Sequence, residues 1–254
     1  MFGKKSPDAG SKGAAKTESR ESFRTIFWAL VIAIVIRTFF VQAFRIPSGS
    51  MEDTLLIGDF LLVDKITFGA RVPGTQFRLP GFREPRQGDI IVFKDPNTNR
   101  DFIKRCIAIG GETISIDDNE VFVNAEPLDE PYKYLKPVPF AGRTSMPPLR
   151  LAPGTLFMMG DNRNNSQDSR YWGPLDAHRV VGRAFVLYWS TDPDAAPRWV
   201  RDLPENWVKG FLQLFLGRPR FSRVGTWLAK DWSQVYAAGL ETSAPASAGG
   251  ASSE

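Results

Sequence analysis

One cysteine, Cys106, and one histidine, His178, are all that the 254 residues contain. No disulfide can close within the chain, and a Cys/His zinc site lacks ligands; neither a metal nor a cofactor is expected. The single imidazole lies in Asp176-Ala177-His178-Arg179, a polar turn with no nearby pattern of a triad, and the G-x-S-x-G elbow is absent. A Ser-His-Asp hydrolase is therefore disfavoured. No basic stripe is present either: the net charge of +4 and pI of about 9.2 are spread along the chain, which gives no footprint for a nucleic-acid partner. No internal repeat is visible.

The first 24 residues are rich in Lys, Ser, Gly and Ala, with six Lys/Arg against three Asp/Glu, and read as a solvated basic arm. From Ile26 to Phe44, 16 of 19 residues are apolar, and a helix of that length spans roughly 28 Å, close to a bilayer's hydrocarbon core. The exceptions, Arg37, Thr38 and Gln42, fall in the second half, where Arg37 can snorkel toward headgroups. Residues 25–45 are thus expected to form a transmembrane anchor in contact with membrane lipid, with the arm (1–24) in the cytoplasm and the remainder exported. Two readings compete with it. One is a buried core helix; the other is a cleavable signal peptide cut near Val41-Gln42-Ala43.

Beyond Pro47 the chain breaks into short runs rich in Val, Ile and Phe separated by turn residues: 60–66, 90–94, 102–109, 113–116, 121–124, 156–159 and 180–189. With no helical period among them, these predict a mainly β, antiparallel catalytic domain over 46–240. The Pro- and Gly-rich stretches 70–87 and 128–153 read as excursions on the sheet's rim, the second within an insertion near 117–153. After Ser190 the chain turns Trp- and Arg-rich, which suits a membrane interface or packing on the domain's edge. Residues 241–254 form an Ala/Ser/Gly tail expected to be disordered.

Chemistry can reside in three places. Ser48-Gly49-Ser50 follows the apolar segment directly, but a serine needs a base held within hydrogen-bond reach. Lysine can be that base if burial lowers its pKa. Alternation along Asp101–Ala108 puts Phe102, Lys104, Cys106 and Ala108 on one face and Arg105 on the other. Spacing alone equally allows a lysine guarding an edge strand. The third place is the polar run Gly160-Asp161-Asn162-Arg163-Asn164-Asn165-Ser166-Gln167-Asp168-Ser169-Arg170. It is not an EF-hand: Arg163 stands at the third position and Ser166 where the turn glycine belongs. It can be a hydrogen-bonded turn or a shelf that orients a base.

Taken together and in order, Ser48-Gly49-Ser50-Met51, Gly58-Asp59-Phe60, Gly88-Asp89-Ile90-Ile91-Val92-Phe93 with Ile103-Lys104-Arg105, and Gly160-Asp161-Asn162-Arg163 through Arg170 resemble the motif boxes of bacterial type I signal peptidases. These are the leader peptidases of the Ser/Lys protease class, and the likeness covers roughly Arg37 to Trp189. The resemblance implies a signal-peptidase-like β domain behind one N-terminal transmembrane helix. It makes Ser50 the nucleophile, Lys104 the general base, Ser48 an oxyanion-hole donor, Ser166 a hydrogen-bond partner of the Lys104 amine, and Asp168 with Arg170 a supporting ion pair. The implied partners are signal peptides of exported preproteins, with export machinery as a further candidate. The implied location is the bacterial inner membrane, single-pass, with the domain on the outer side. Asp53 departs from the proline usual after Ser-Met-x, and Ala108, Gly110 and Glu112 from the usual Gly, Pro and Asp; these bear on local backbone shape and substrate preference. The rivals are a self-cleaving Ser/Lys repressor, disfavoured by the span and the lack of a helix-turn-helix pattern, and an inactive membrane-tethered β scaffold.

Overall fold

In the computed structural model, residues 11–75, 77–136, 143–204 and 206–229 are described. Arm residues 1–10 and the tail 241–254 lie outside them. Helix α1 runs Ser11–Phe39, so it extends back into the basic arm and stops short of Phe44. Once the apolar stretch has nucleated a helix, propagation into the Ala- and Lys-containing residues before it is cheap. Within α1, Ser22–Phe39 is long and apolar enough to cross a membrane, and none of that window is buried in the protein. Ile26, Phe27, Trp28, Leu30, Ile32 and Ile34 are all exposed, which removes the buried-core-helix reading.

The expected anchor of 25–45 is corrected at its end. Val41–Arg45 is strand β1, paired antiparallel with β2 (Asp59–Asp64) from Val41↔Asp64 to Arg45↔Phe60. Pairing satisfies the backbone of 41–45 against β2, and the Lys65 ammonium donates to the carbonyls of Arg37 (2.9 Å) and Thr38 (3.3 Å), closing the helix's C-terminus. Cleavage after Ala43 would cut β1 in two, which counts against the removable-leader reading.

The remaining strands are β3 (Ile90–Lys94), β4 (Asp101–Ile109), β5 (Thr113–Asp117), β6 (Glu120–Val123), β7 (Glu126–Pro127), β8 (Met146–Arg150), β9 (Thr155–Met159), β10 (Leu175–Asp176), β11 (Val180–Asp192) and β12 (Arg218–Pro219). All pairings between them are antiparallel. The larger sheet has the order β1-β2-β11-β3-β4-β9-β10, with β12 added to β11; the smaller is β7-β6-β5-β8. The fold is therefore mainly antiparallel β after one N-terminal apolar helix. Strands β6, β7 and β8 of the smaller sheet lie in the region read as a rim insertion, and β5 immediately precedes it. Strand β8, Met-Pro-Pro-Leu-Arg, is hidden from pattern reading by two prolines, which an edge strand tolerates.

The core forms three clusters. Ile46, Met51, Leu55, Leu61, Val63, Ile90 and Val92 pack with Ala184 and Leu187, and Phe44 and Ile103 lean on them. Because Phe44 of edge strand β1 and Ile103 of β4 join one cluster across three intervening strands, the large sheet curls around it. A second cluster, with Ile107, Ala108, Ile114 and Phe157, joins the two sheets, and a third holds Ile91, Phe93, Cys106 and Met158. The β4–β9 register shifts between Cys106 and Ala108. This bulge corrects the simple alternation: Cys106 stays in the cluster beside Ile91 and Phe93, whose cross-strand partners are Lys104 and Phe102, whereas Ala108 turns into the cluster between the sheets.

Candidate active site

The turn after β1 is a 3-10 segment, Gly49–Met51, with Ser48 at its N-cap. Ser48 is exposed, and its side chain does not cap the turn. First-turn N–H groups of a helix have no intrahelical acceptor, so the Gly49 and Ser50 amides lie beside an uncommitted hydroxyl. Ser50 itself is buried, and so is Met51, whose side chain roots the turn in the core. Asn162 holds the turn from the other side. Its amide group donates to the Gly49 carbonyl (3.0 Å) and the Glu52 carboxylate (3.1 Å), and its backbone N–H donates to the Ser50 carbonyl (3.2 Å).

Lys104 reaches this turn from the middle of β4. Its Nζ lies 2.6 Å from Ser50 Oγ and 3.1 Å from the Ile103 carbonyl, and it sits 5.6 Å from the centre of the Phe102 ring. Burial disfavours the ammonium and lowers its pKa to about 8, against the opposing pull of Asp168 and Asp161. No carboxylate forms an ion pair with it among the described residues. A neutral amine is therefore accessible near neutral pH, within reach of a hydroxyl proton.

Three buried ion pairs surround the pair and fix the polar run after β9. Arg105 grips Asp161 through Nε (2.8 Å) and Nη2 (2.6 Å), and Asp161 also accepts from Thr54 Oγ1 (2.6 Å). Arg163 makes a two-pronged contact with Glu130, a residue of the connection between the small sheet's strands. Arg170 binds Asp168 (2.9 Å), whose carboxylate also accepts the Gly160 N–H (3.1 Å). Buried pairs add little net stability but hold their backbones in one arrangement when every member is bonded.

Gly160 is required at the point of closest approach. A Cβ there would lie 2.3 Å from Ser166 Oγ and 2.4 Å from the Ser50 carbonyl oxygen. Ser166 is thus buried against the same spot as Ser50, but its hydroxyl has no hydrogen-bond partner. The expected bond from Ser166 to the Lys104 amine is not made in this structure. Lys104 instead spends its donors on Ser50 and the Ile103 carbonyl. His178 lies in the turn Ala177–Arg179, on the far side of β10, with no part in the site. Asn162 and Glu130 join the site without a role expected of them from sequence. Asn162 sits inside the polar run, which is signal enough to suspect it, but nothing local marks Glu130, 33 positions from its arginine.

The arrangement can deprotonate a serine, hold an oxyanion beside a turn's amides, and do so where a chain leaves an apolar helix. Among known proteins, the family model described as "signal peptidase, peptidase S26" matches residues 19–189, a stretch that includes every candidate residue above. A signal peptidase I of Leptolyngbya laminosa is 36% identical over 192 residues, covering 72% of this chain and 86% of that one. A signal peptidase I of Pseudomonas aeruginosa is 34% identical over 206 residues (67% and 72%). One from Aquifex aeolicus is 31% identical over 264 residues (81% and 97%).

Proposed function

Because this chain belongs to the signal peptidase family, peptidase S26, we propose that Ser50 and Lys104 are the nucleophile and general base of a serine endopeptidase that removes signal peptides from preproteins. The observation that carries the assignment is the 2.6 Å contact between Ser50 Oγ and a buried lysine whose pKa is lowered to about 8.

Neutral Lys104 accepts the Ser50 proton as Oγ attacks the scissile carbonyl carbon. The resulting oxyanion is held by the Ser50 N–H and the Ser48 hydroxyl. The Lys104 ammonium then gives its proton to the departing amine, leaving an acyl-enzyme. The amine, neutral again, activates a water that releases the signal peptide and restores Ser50. Asp168 and Arg170 hold Gly160 and the run after it against Ser50, and Ser166 lines the same spot.

Met51, next to Ser50, packs in an apolar cluster with Ile46 and Leu55, against which Phe44 and Ile103 are partly buried. A substrate extended along the strand edge beside Ser50 places its first and third residues before the cut on one side, and membership of the family implies small side chains at both.

The protein is membrane-anchored by its apolar helix. In finer detail, we place it in the bacterial inner membrane with one span, the basic arm in the cytoplasm, and residues 46–240 outside as the catalytic domain, on the side where contacts with export machinery would form. The decisive experiment is incubation of the purified full-length chain with a preprotein. A shortened product is expected from the wild type and none from folded Ser50→Ala. Substrates with bulky residues at both the first and third positions should resist cleavage; equal processing of these and of alanine substrates overturns the pocket assignment.

A further inference from the structure

Where α1 meets the catalytic domain, a cleft of about 590 Å³ opens between the end of the helix (Ile34, Arg37, Thr38), Gln42 of β1, Lys65, the turn 71–75, and Lys94 and Asp101 at the ends of β3 and β4. Four of its lining residues are cationic and one is acidic. Asp101 is committed to Lys94 at 2.9 Å. Among the described residues no carboxylate forms an ion pair with Arg37, Lys65 or Arg71, and with Asp101 set against Lys94 the cleft's lining keeps a net charge of +3. The crowding is felt inside it. Burial and the charge of Arg37 lower the pKa of Lys65, and burial and the charge of Arg71 act in the same sense on Arg78 behind it. Gathering cations without a counter-ion costs free energy that a bound anion recovers.

The position of the cleft identifies the anion. Arg37 lies two residues before the end of an exposed apolar helix whose preceding turns match the hydrocarbon core in length. A basic residue there extends to the level of lipid phosphates. The opposite wall, including Lys65 and Arg71, belongs to the domain, and Lys65 is bolted to the helix by its bonds to the Arg37 and Thr38 carbonyls. We propose that this cleft binds the phosphate headgroup of an anionic phospholipid, clamping the domain to the bilayer at the foot of its anchor. The proposal rests on the reading of α1 as a membrane span.

The test titrates the full-length protein, in neutral detergent, with short-chain phosphatidylglycerol, counting bound lipid by native mass spectrometry. Short-chain phosphatidylcholine and inorganic phosphate form the comparison arms. Phosphatidylglycerol should bind in preference to both. Lys65→Gln/Arg71→Gln should weaken it at least about tenfold, and the exposed Arg71→Gln alone, which disturbs no bond to the helix end, about fivefold. Lys12→Gln/Lys16→Gln in the basic arm should leave it unchanged. Equal binding of phosphatidylcholine, equal binding of inorganic phosphate, or a double variant that retains wild-type affinity would each overturn the proposal. So would a loss confined to the arm variant. Preprotein cleavage in the same detergent should be unaffected by Arg71→Gln. Wild-type failure to cleave would count against the peptidase assignment and leave the lipid result standing.

Discussion

Two neighbouring cations on β4 face opposite sides of one strand and meet opposite fates. Lys104 and Arg105 are 4% and 1% exposed, so burial does not distinguish them. Arg105 is neutralised by the two oxygens of Asp161 and stacks 3.8 Å from the Tyr132 ring centre. Lys104 meets only a serine hydroxyl, a carbonyl and the third core cluster. A paired charge becomes a structural tie, whereas an unpaired, buried ammonium gives up its proton more readily and can serve as a base. Arginine suits the first role because it stays charged, lysine the second because it need not.

The comparison breaks most visibly if either half of the dyad is removed. Ser50→Ala and Lys104→Ala should each lower kcat/KM by at least about 10³-fold in folded protein, because the two act as a unit. Lys104→Arg should fail as badly, since a guanidinium cannot accept the proton. Retention of near wild-type cleavage by any of these would end the assignment.

On the other face the expected loss is in stability. Asp161→Ala leaves Arg105 charged and buried without its partner, and should destabilise the protein by about 3 kcal/mol or more in urea unfolding. An unchanged midpoint would show that Arg105 finds water or another acceptor.

A third measurement separates the two cations by pH. The Lys104 pKa is lowered from 10.5 to about 8 by folding. Below that lower value both states hold the proton, and the native state bears the full cost of a buried ammonium. Between the two values the unfolded chain binds more protons, so stability rises with pH across this window and the cost is gone above it. Lys104→Met should therefore stabilise the protein at pH 7 by roughly 3 kcal/mol while abolishing activity, with the gain fading toward pH 10.5. In the wild type, the acidic limb of kcat/KM should have its midpoint near 8, and should be the same in His178→Ala.

The smallest effect belongs to Ser166. Its hydroxyl makes no hydrogen bond, so Ser166→Ala should cost less than about tenfold in kcat with little change in stability. A loss as large as that of Lys104→Ala would mean that the lysine leans on Ser166 during turnover.

Much of the fold and of the site is legible in the sequence. The apolar run, the short Val/Ile/Phe-rich strands and the four ordered motif boxes each carry their signal within a few residues. Elements with a non-local cause are not legible. Val41–Arg45 reads as the tail of a helix because it is apolar, and becomes a strand only because β2 offers it a hydrogen-bonding edge. Strand β8 is masked by Pro147 and Pro148, which its edge position excuses. Resemblance implies a Ser166–Lys104 bond, but a hydrogen bond depends on tenths of an ångström that a motif does not specify.

The sequence by itself determined the residue types of the chemistry and their order: a serine turn directly behind an apolar span, a lysine in an alternating strand, and one histidine and one cysteine, too few for a zinc site and with no local triad pattern. Only the tertiary structure shows which of the two cations lies unpaired against Ser50 and which is tied to a carboxylate. Lys104 and Arg105 are adjacent in sequence, and the difference between them lies in what the fold brings to each face: Asp161 from a loop 56 positions away to the arginine, Ser50 from a turn 54 positions back to the lysine. A pKa is set by the solvent removed and the charges left nearby, and both are properties of the packed chain.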